Sequence, residues 1–358
     1  MVELKKSGTE VIAICKPSSR IEQYLKTKGI DCQRLPSYSK FSLPSYRIIK
    51  KTMDLLGVNV VHVHFHKDIW LASLALKNDS QRKLFLSVYM GVDSKNDIFH
   101  RWIYNRVNGI FTSSDELNSR LHLLYPVEKE RIHFLPYGRR VEDYVVDQVR
   151  RKAVRSQWKV HRNELLVGTM VRIDPGKGVM DFARSFLYLE KDSQAKVRYI
   201  IVGEPTRRGR ARPDESPYEP HCEAYLRQLE AFIATEHLED KILLAGFQED
   251  LVGYLSAMDV FVFPSRDELY SLVVLDAMCM GLPVVAARAG GNVAQIKDGV
   301  SGSLYDVADS QDLCTKLALY LKQPPLRKQH GEAARKFVAE RHDMRNTIAQ
   351  LLEFYRRS

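Results

Sequence analysis

The feature that most constrains this chain is alternation. Short β-branched apolar runs, separated by longer stretches of helical period, recur from one end to the other. Strands are expected over Glu10–Cys15, Asn59–His64, Lys83–Tyr89, Gly109–Thr112 and Arg131–Leu135. A second series follows over Leu165–Val171, Val197–Gly203, Lys241–Ala245, Asp259–Phe263 and Pro283–Ala287. Several are unbroken apolar runs, such as Val260-Phe261-Val262-Phe263. Such runs suit parallel strands covered on both faces, where an alternating pattern would suit a half-solvated sheet. Strands that alternate with helices in this way argue for doubly wound α/β domains.

Between the two series lies Pro136–Asn163, charged and without strand signals, and a chain of 358 residues suits about two domains. An N-terminal domain is therefore expected over 1–155, a second over 156–335, and a C-terminal helix over 336–358 that crosses back to the first. The segment Pro325–Ser358 reads as helix throughout. Pro205–Pro220 carries four Arg and four Pro with few apolar residues, so an exposed loop is expected there.

Composition closes off several classes. With 45% hydrophobic and 27% charged residues the chain has the makings of a globular core, which excludes disorder, collagen and coiled coil. No apolar run reaches the roughly 18 residues of a membrane span, and the opening Met-Val-Glu-Leu-Lys-Lys lacks the apolar stretch of a secretory signal. The five cysteines, Cys15, Cys32, Cys222, Cys279 and Cys314, are scattered and form no C-x-x-C, so reduced thiols, a cytoplasmic location and no zinc site are expected. The net charge of +10 is uneven: residues 1–150 carry +8 and the remaining 208 only +2. A basic N-terminal half points to an anionic partner, an anionic membrane surface in preference to nucleic acid, because no nucleic-acid-binding motif accompanies the charge.

Two stretches carry chemistry. In Val260–Gly302 a strand stops at Pro264, a polar loop Ser265-Arg266-Asp267-Glu268 follows, and a helix capped by Ser271 runs through Leu272–Met280 to Gly281. Glu268 then sits at a strand's carboxyl end and Asp276 one turn inside the helix, beside an N-terminus that favours anions. Carboxylates there suit sugar or ribose hydroxyls; on spacing alone, two solvated acids are the alternative. In Val167–Gly178 a strand enters a Gly/Pro turn bearing Arg172 and Lys177, then a helix near Val179. Two cations at strand ends suit a diphosphate; on spacing alone, a plain turn with solvated cations is the alternative. The stretch is not a Walker loop, and no G-x-G-x-x-G occurs.

Together these stretches resemble the GT-B glycosyltransferases of family 4, the retaining group 1 transferases. The E-x7-E signature stands as Glu268…Asp276, the R-x4-K-G pair as Arg172…Lys177-Gly178, and the Gly-Gly turn and D-G-x-x-G as Gly290-Gly291 and Asp298…Gly302. Val202-Gly203-Glu204 and Gly246-Phe247 also fit, and Val60–His64, Thr112–Ser114 and Pro136–Gly138 match more weakly. The resemblance implies two Rossmann-like domains facing a cleft and transfer of a sugar from a nucleoside diphosphate-sugar to a glycan or lipid-linked acceptor in cell-surface polysaccharide or glycolipid synthesis. It implies no cofactor and no metal, in agreement with the absence of D-x-D. A nucleotide-sugar epimerase of the same fold, and a non-catalytic or weakly active nucleotide-binding protein, are the alternatives.

By the same resemblance, Arg172 and Lys177 hold the donor diphosphate and Glu268 the donor sugar. Tyr270 and the backbone amides of Ser271, Leu272 and Val273 lie at the helix start, Asp276 meets the ribose, and Gly203, Gly246 and Phe247 border the base. The chain departs from the pattern in carrying Asp276 for Glu, Ser271 for Gly, Val293-Ala294 for Pro-Glu and Met90 for a sugar-contacting His before Gly91. On the acceptor side, His64, Met90, Gly91, Asp93 and Lys95 are the candidates. His62, His64 and His66 share one strand face, as core and cleft-edge residues. Family members open with a strand and a glycine-rich loop, whereas Met1–Lys6 reads as the end of the following helix, stopped at Ser7-Gly8. The resemblance therefore implies an N-terminal domain lacking its first strand, weakly active or inactive as given.

Overall fold

A computed structural model describes residues 1–91, 93–192, 196–209 and 216–357. The chain divides into two compact units, Met1–Gly138 with Met344–Ser358, and Arg139–Asp343. The division at Gly138 falls inside the charged stretch but ahead of the expected 155/156. Residues 139–155 belong to the second unit because the helix Gln148–Gln157 is anchored there: Arg151 donates to the Ser256 and Met258 carbonyls and pairs with Asp259. Likewise residues 336–343 stay with the second unit, and only 344–358 join the first.

Among its described residues the first unit has six parallel strands in two sheets. β1 (Ile12–Ile14) pairs with β2 (Asp31–Gln33). β3 (Val60–Val63), β4 (Lys83–Val88), β5 (Gly109–Thr112) and β6 (Ile132–Phe134) form the other, in that order. The helix Val2–Lys6 ends at Gly8, whose φ of +84° needs a residue without Cβ strain. The helix Met344–Arg357 packs on the four-stranded sheet through Leu351, Phe354 and Tyr355, which meet the stacked Phe85 and Phe111. Lys83 Nζ closes that helix by donating to the Tyr355 and Arg356 carbonyls, each at 2.9 Å.

Among its described residues the second unit has one six-stranded parallel sheet. β7 (Leu165–Met170), β8 (Val197–Val202), β9 (Ile242–Gly246), β10 (Val260–Phe263), β11 (Val284–Ala287) and β12 (Gly302–Tyr305) lie in the order β12-β11-β10-β7-β8-β9. The core forms on them: Val260, Val262, Val285, Tyr199 and Ile201 are buried with Phe182 and Phe186 of the helix Val179–Asp192. The first and fourth strands of the unit, β7 and β10, are neighbours. In an open parallel sheet that is the switch point, where the connections leave to opposite sides and open a crevice at the strands' carboxyl ends.

Expected strands and observed strands agree to within two residues at each end, but two were missed, β2 and β12. The C-terminal segment is also not one helix: Pro324–Arg341 and Met344–Arg357 are separated at His342-Asp343, where Arg139 N–H takes the His342 carbonyl and Asp343 forms a bridge with Arg139. Within the Pro205–Pro220 stretch, 210–215 lie outside the described residues. Among the described residues no helix is long and apolar enough to cross a membrane.

Candidate functional site

The strand β7 leads into the first half of the site. Past it, Asp174 caps a turn of 3-10 helix over Pro175–Lys177 by accepting from Gly176 N–H at 3.0 Å. Gly178 follows at φ +64°, and a Cβ there would stand 2.0 Å from the Pro264 carbonyl oxygen. The glycine thus lets the Lys177 turn lie directly against the end of β10. Arg172, exposed, donates from Nη1 to Thr206 Oγ1 at 3.2 Å.

The second half comes from β10. Lys177 Nζ donates to Glu268 Oε2 at 2.9 Å and to Ser265 Oγ and the Asp267 carbonyl, each at 3.3 Å. The loops of two adjacent strands are therefore joined by a partly buried charge pair at the switch point. Arg266 steadies the loop from behind with a bidentate pair to the buried Asp181. The Gly-Gly turn backs it: Gly291 N–H donates to the Glu268 carbonyl at 2.7 Å. A Cβ on Gly290 or Gly291 would come within 2.3 Å of the Glu268 carbonyl oxygen or 2.1 Å of that of Leu269.

Ser271 caps the helix Leu272–Cys279, accepting from Val274 N–H at 3.4 Å. Its own amide is occupied: Ser271 N–H donates to Gln295 Oε1 at 2.9 Å, and Gln295 Nε2 returns a bond to the Ser271 carbonyl at 2.7 Å. Of the three amides expected to meet the donor, that of Ser271 is hydrogen-bonded to Gln295, and those of Leu272 and Val273 lie in the first turn of the helix. Asp276 is engaged as well. It is buried and accepts from Arg139 Nε at 2.5 Å and Tyr144 OH at 2.6 Å, so this carboxylate is already committed within the second unit. Burial, and then the Asp276 charge, push the Tyr144 hydroxyl well above its ordinary value. Tyr270 OH meets the Nε2 of buried His342 at 2.7 Å. Arg139, Tyr144, Gln295 and His342 carried no sequence signal as site residues, being 24 to 137 positions from their partners.

At the neighbouring strand ends Gly203 N–H donates to the Gly246 carbonyl at 2.8 Å. A Cβ on Gly203 would sit 1.8 Å from the Val171 carbonyl oxygen, whereas Gly246 faces open space and Phe247 is half exposed. These residues border one edge of the same crevice.

In the first unit His64 contacts Tyr89 OH at 3.1 Å and stacks on His62, whose ring bonds Tyr355 OH at 2.6 Å and Ser87 Oγ at 2.8 Å. Burial keeps both histidines less basic than usual, His64 with a pKa of about 4. His66 turns instead to Tyr125. Met90 is 68% exposed, Gly91 and Asp93 are exposed, and Lys95 is anchored by its N–H to the Leu124 carbonyl at 2.8 Å; residue 92 of this loop lies outside the described residues. Among the described residues His62, His64 and His66 gather no metal-ligand cluster, while Asp174, His221 and Cys222 do.

Comparison with known proteins bears on this geometry. Residues 150–337 match the family Glycosyl transferases group 1, and residues 2–143 match Glycosyltransferase Family 4. Two solved structures share the fold: a glycosyltransferase from Rickettsia africae (18% identity, TM-score 0.85, covering 100% of this chain and 93% of that one) and Anabaena HepE in complex with UDP-glucose (18%, TM-score 0.77, 98% and 93%). At such identity the likeness establishes the fold, two Rossmann-like domains of the GT-B type. Among curated relatives, an N-acetyl-alpha-D-glucosaminyl L-malate synthase of Bacillus anthracis is 31% identical over 33% of this chain and 31% of its own length. The lipopolysaccharide core mannosyltransferase LpcC of Rhizobium leguminosarum is 23% identical over 80% and 78%. The match spans only about a fifth to two fifths of the first four relatives' own lengths, 21% to 37%. With more than half of the sequence inside one family match and the lysine and glutamate loops meeting at the switch point, this chain belongs to the group 1 glycosyltransferases.

Proposed function

We propose that the chain moves a glycosyl group from a nucleoside diphosphate-sugar to a glycan or lipid-linked acceptor, with retention of anomeric configuration, in the synthesis of cell-surface polysaccharide or glycolipid. The observation that carries this reading is the Lys177–Glu268 pair at 2.9 Å across the ends of β7 and β10, with Arg172 on the same loop as the lysine. In the donor complex Lys177 and Arg172 hold the diphosphate and balance the charge that develops as it leaves, in a site where fixed cations need no reorganisation. Glu268, released from Lys177, accepts from sugar hydroxyls, and the first-turn amides of Leu272 and Val273 face the anion. Gly203, Gly246 and Phe247 border the base, and Tyr270, tied to His342, supports the loop. Asp276 contributes by fixing Arg139 and Tyr144, and a ribose contact shares its carboxylate with them.

The UDP-glucose complex of HepE supports a nucleotide-sugar donor, and LpcC supports a surface-polysaccharide acceptor. His64, Met90, Gly91, Asp93 and Lys95 are assigned to the acceptor, and a cytoplasmic enzyme peripheral to the inner membrane face fits the basic first unit.

The test is product analysis with a panel of nucleotide sugars, combined with three variants. Arg172→Ala and Lys177→Ala are each expected to lower kcat/KM by about 2–4 kcal/mol of transition-state stabilisation. Glu268→Ala is expected to lower turnover more than it lowers nucleoside diphosphate affinity. An equal collapse of nucleotide affinity in all three overturns this division of labour, and conversion of donor to an epimer without transfer overturns the reaction.

A further inference from the structure

Cys222 is fully buried, and a buried cysteine ordinarily serves as a small apolar filler. This one faces polar atoms. Its Sγ lies 3.2 Å from His221 Nε2 and 3.6 Å from Asp174 Oδ2, and one ligand atom from each of the three residues falls within 4.8 Å of the others. A tetrahedral zinc ion, bound at about 2.3 Å to sulfur and about 2.0–2.2 Å to nitrogen and oxygen, spaces its ligands about 3.3–3.6 Å apart. The two sulfur edges, 3.2 and 3.6 Å, lie within about 0.1 Å of that range.

We propose that Asp174, His221 and Cys222 form a binding site for a borderline-soft divalent cation of the zinc class. A mixed S, N, O ligand set selects zinc over magnesium or calcium, which take oxygen alone. His221 is exposed and gives the ion a way in, while Pro220 at the first position of the helix Pro220–Thr235 fixes the backbone that presents both His221 and Cys222. The carboxylate is oriented from outside, as ligating carboxylates are: Asp174 Oδ1 accepts from Gly176 N–H at 3.0 Å, and Thr206 Oγ1 donates to Oδ2 at 3.3 Å. Forty-seven positions separate Asp174 from His221, so only the fold joins them.

The site also touches the donor loop. Asp174 caps the turn that carries Lys177, and Thr206 links Asp174 to Arg172 Nη1 at 3.2 Å. An ion on Asp174 therefore immobilises both cations assigned above to the diphosphate. This second consequence rests on the donor reading; occupancy of the site by metal does not.

The experiment uses the full chain, reduced and stripped of metal, titrated with Co2+ as a spectroscopic stand-in for zinc and then with Zn2+ in competition. One equivalent of Co2+ is expected to give tetrahedral visible bands and a thiolate-to-cobalt band in the near ultraviolet. Cys222→Ser is expected to abolish the thiolate band, and His221→Ala, a change at an exposed position, to weaken binding tenfold or more. A Cys15→Ser/Cys32→Ser double variant is expected to leave the band in place. No thiolate band, or one that survives Cys222→Ser in a variant that melts like the parent, overturns the site. Nucleoside diphosphate affinity, measured with and without Zn2+ in parent and Cys222→Ser, reads the coupling: zinc is expected to tighten it at least threefold in the parent only. A cobalt site that is present in a chain that binds no nucleoside diphosphate refutes the donor reading and leaves the metal site standing.

Discussion

Lys177 reaches Glu268 only because Gly178 lets two loops touch. At φ +64°, with a Cβ position 2.0 Å from the Pro264 carbonyl oxygen, Gly178 meets both a backbone and a contact requirement. Gly178→Ala is expected to cost about 2 kcal/mol or more in unfolding free energy, since left-handed strain alone is about 1–2 kcal/mol; urea titration reads it, and parent-like stability would show that the loops separate freely. His62 sets a second expectation. Burial, and then the nearby His64, hold its pKa well below 6.5, so the folded state keeps it neutral where the unfolded chain takes up a proton. Stability is therefore complete above about pH 6.5 and falls as the pH drops toward the folded values, with His64 near 4. Urea midpoints measured from pH 7.5 to 4.5 are expected to decline, and His62→Gln to flatten that decline; a profile unchanged by the variant would assign the loss to other groups.

At the scale of elements, the helix Leu272–Cys279 is registered on the sheet by one buried side chain. Gln295 both accepts from the amide and donates to the carbonyl of Ser271. Gln295→Ala strands the buried Ser271 amide, at about 1–3 kcal/mol, and leaves the Ser271 carbonyl only the bond from Leu275 N–H at 3.5 Å, so it is expected to destabilise the second unit by about 1–3 kcal/mol in urea unfolding. Gln295→Glu keeps the acceptor and loses the donor, so it also destabilises; full stability in both variants would show that the clamp is not required. What the sequence discloses follows the same division. Apolar β-branched strands such as β5 and β10 were legible from composition alone, whereas β2, Asp-Cys-Gln, and β12, which opens on Gly302-Ser303, are strands because their neighbours pair with them. The break at His342-Asp343 has no Pro or Gly to announce it; the bridge with Arg139 makes it. In the site, the strand-turn-helix positions of Arg172, Lys177 and Glu268 were readable from local spacing. The contacts of Ser271 and Asp276 were not, because Gln295, Arg139 and Tyr144 reach them across the fold.

At the scale of the molecule, charge and exposed apolar surface coincide in the first unit. Of the five lysines before residue 30, Lys5, Lys6 and Lys26 are drawn into local contacts with the Gly29 carbonyl, Glu3 and Glu22, Lys28 lies 5.5 Å over the exposed Tyr24 ring, and Lys16 is exposed with Ile21 nearby in sequence. A second patch is more apolar. Phe41 and His100 both pack on Trp70; Phe41 and the exposed Ile98, Phe99 and Trp102 stand out from the surface, with Lys40 4.9 Å over Trp70 and Lys77 5.6 Å over Trp102. Aromatic rings beside lysines suit the boundary between lipid headgroups and acyl chains. Each basic residue near an anionic surface adds about 1 kcal/mol, reduced by salt, while each buried Ile or Phe adds about 1.5–3 kcal/mol independent of salt. Vesicle flotation is therefore expected to show binding that needs anionic lipid and weakens, without vanishing, as salt rises. Ile98→Ser/Phe99→Ser is expected to remove the salt-resistant part, and Lys16→Glu/Lys28→Glu the salt-sensitive part. Equal recovery with neutral and anionic vesicles would exclude the electrostatic component, and flotation untouched by Ile98→Ser/Phe99→Ser would exclude this patch as the point of contact.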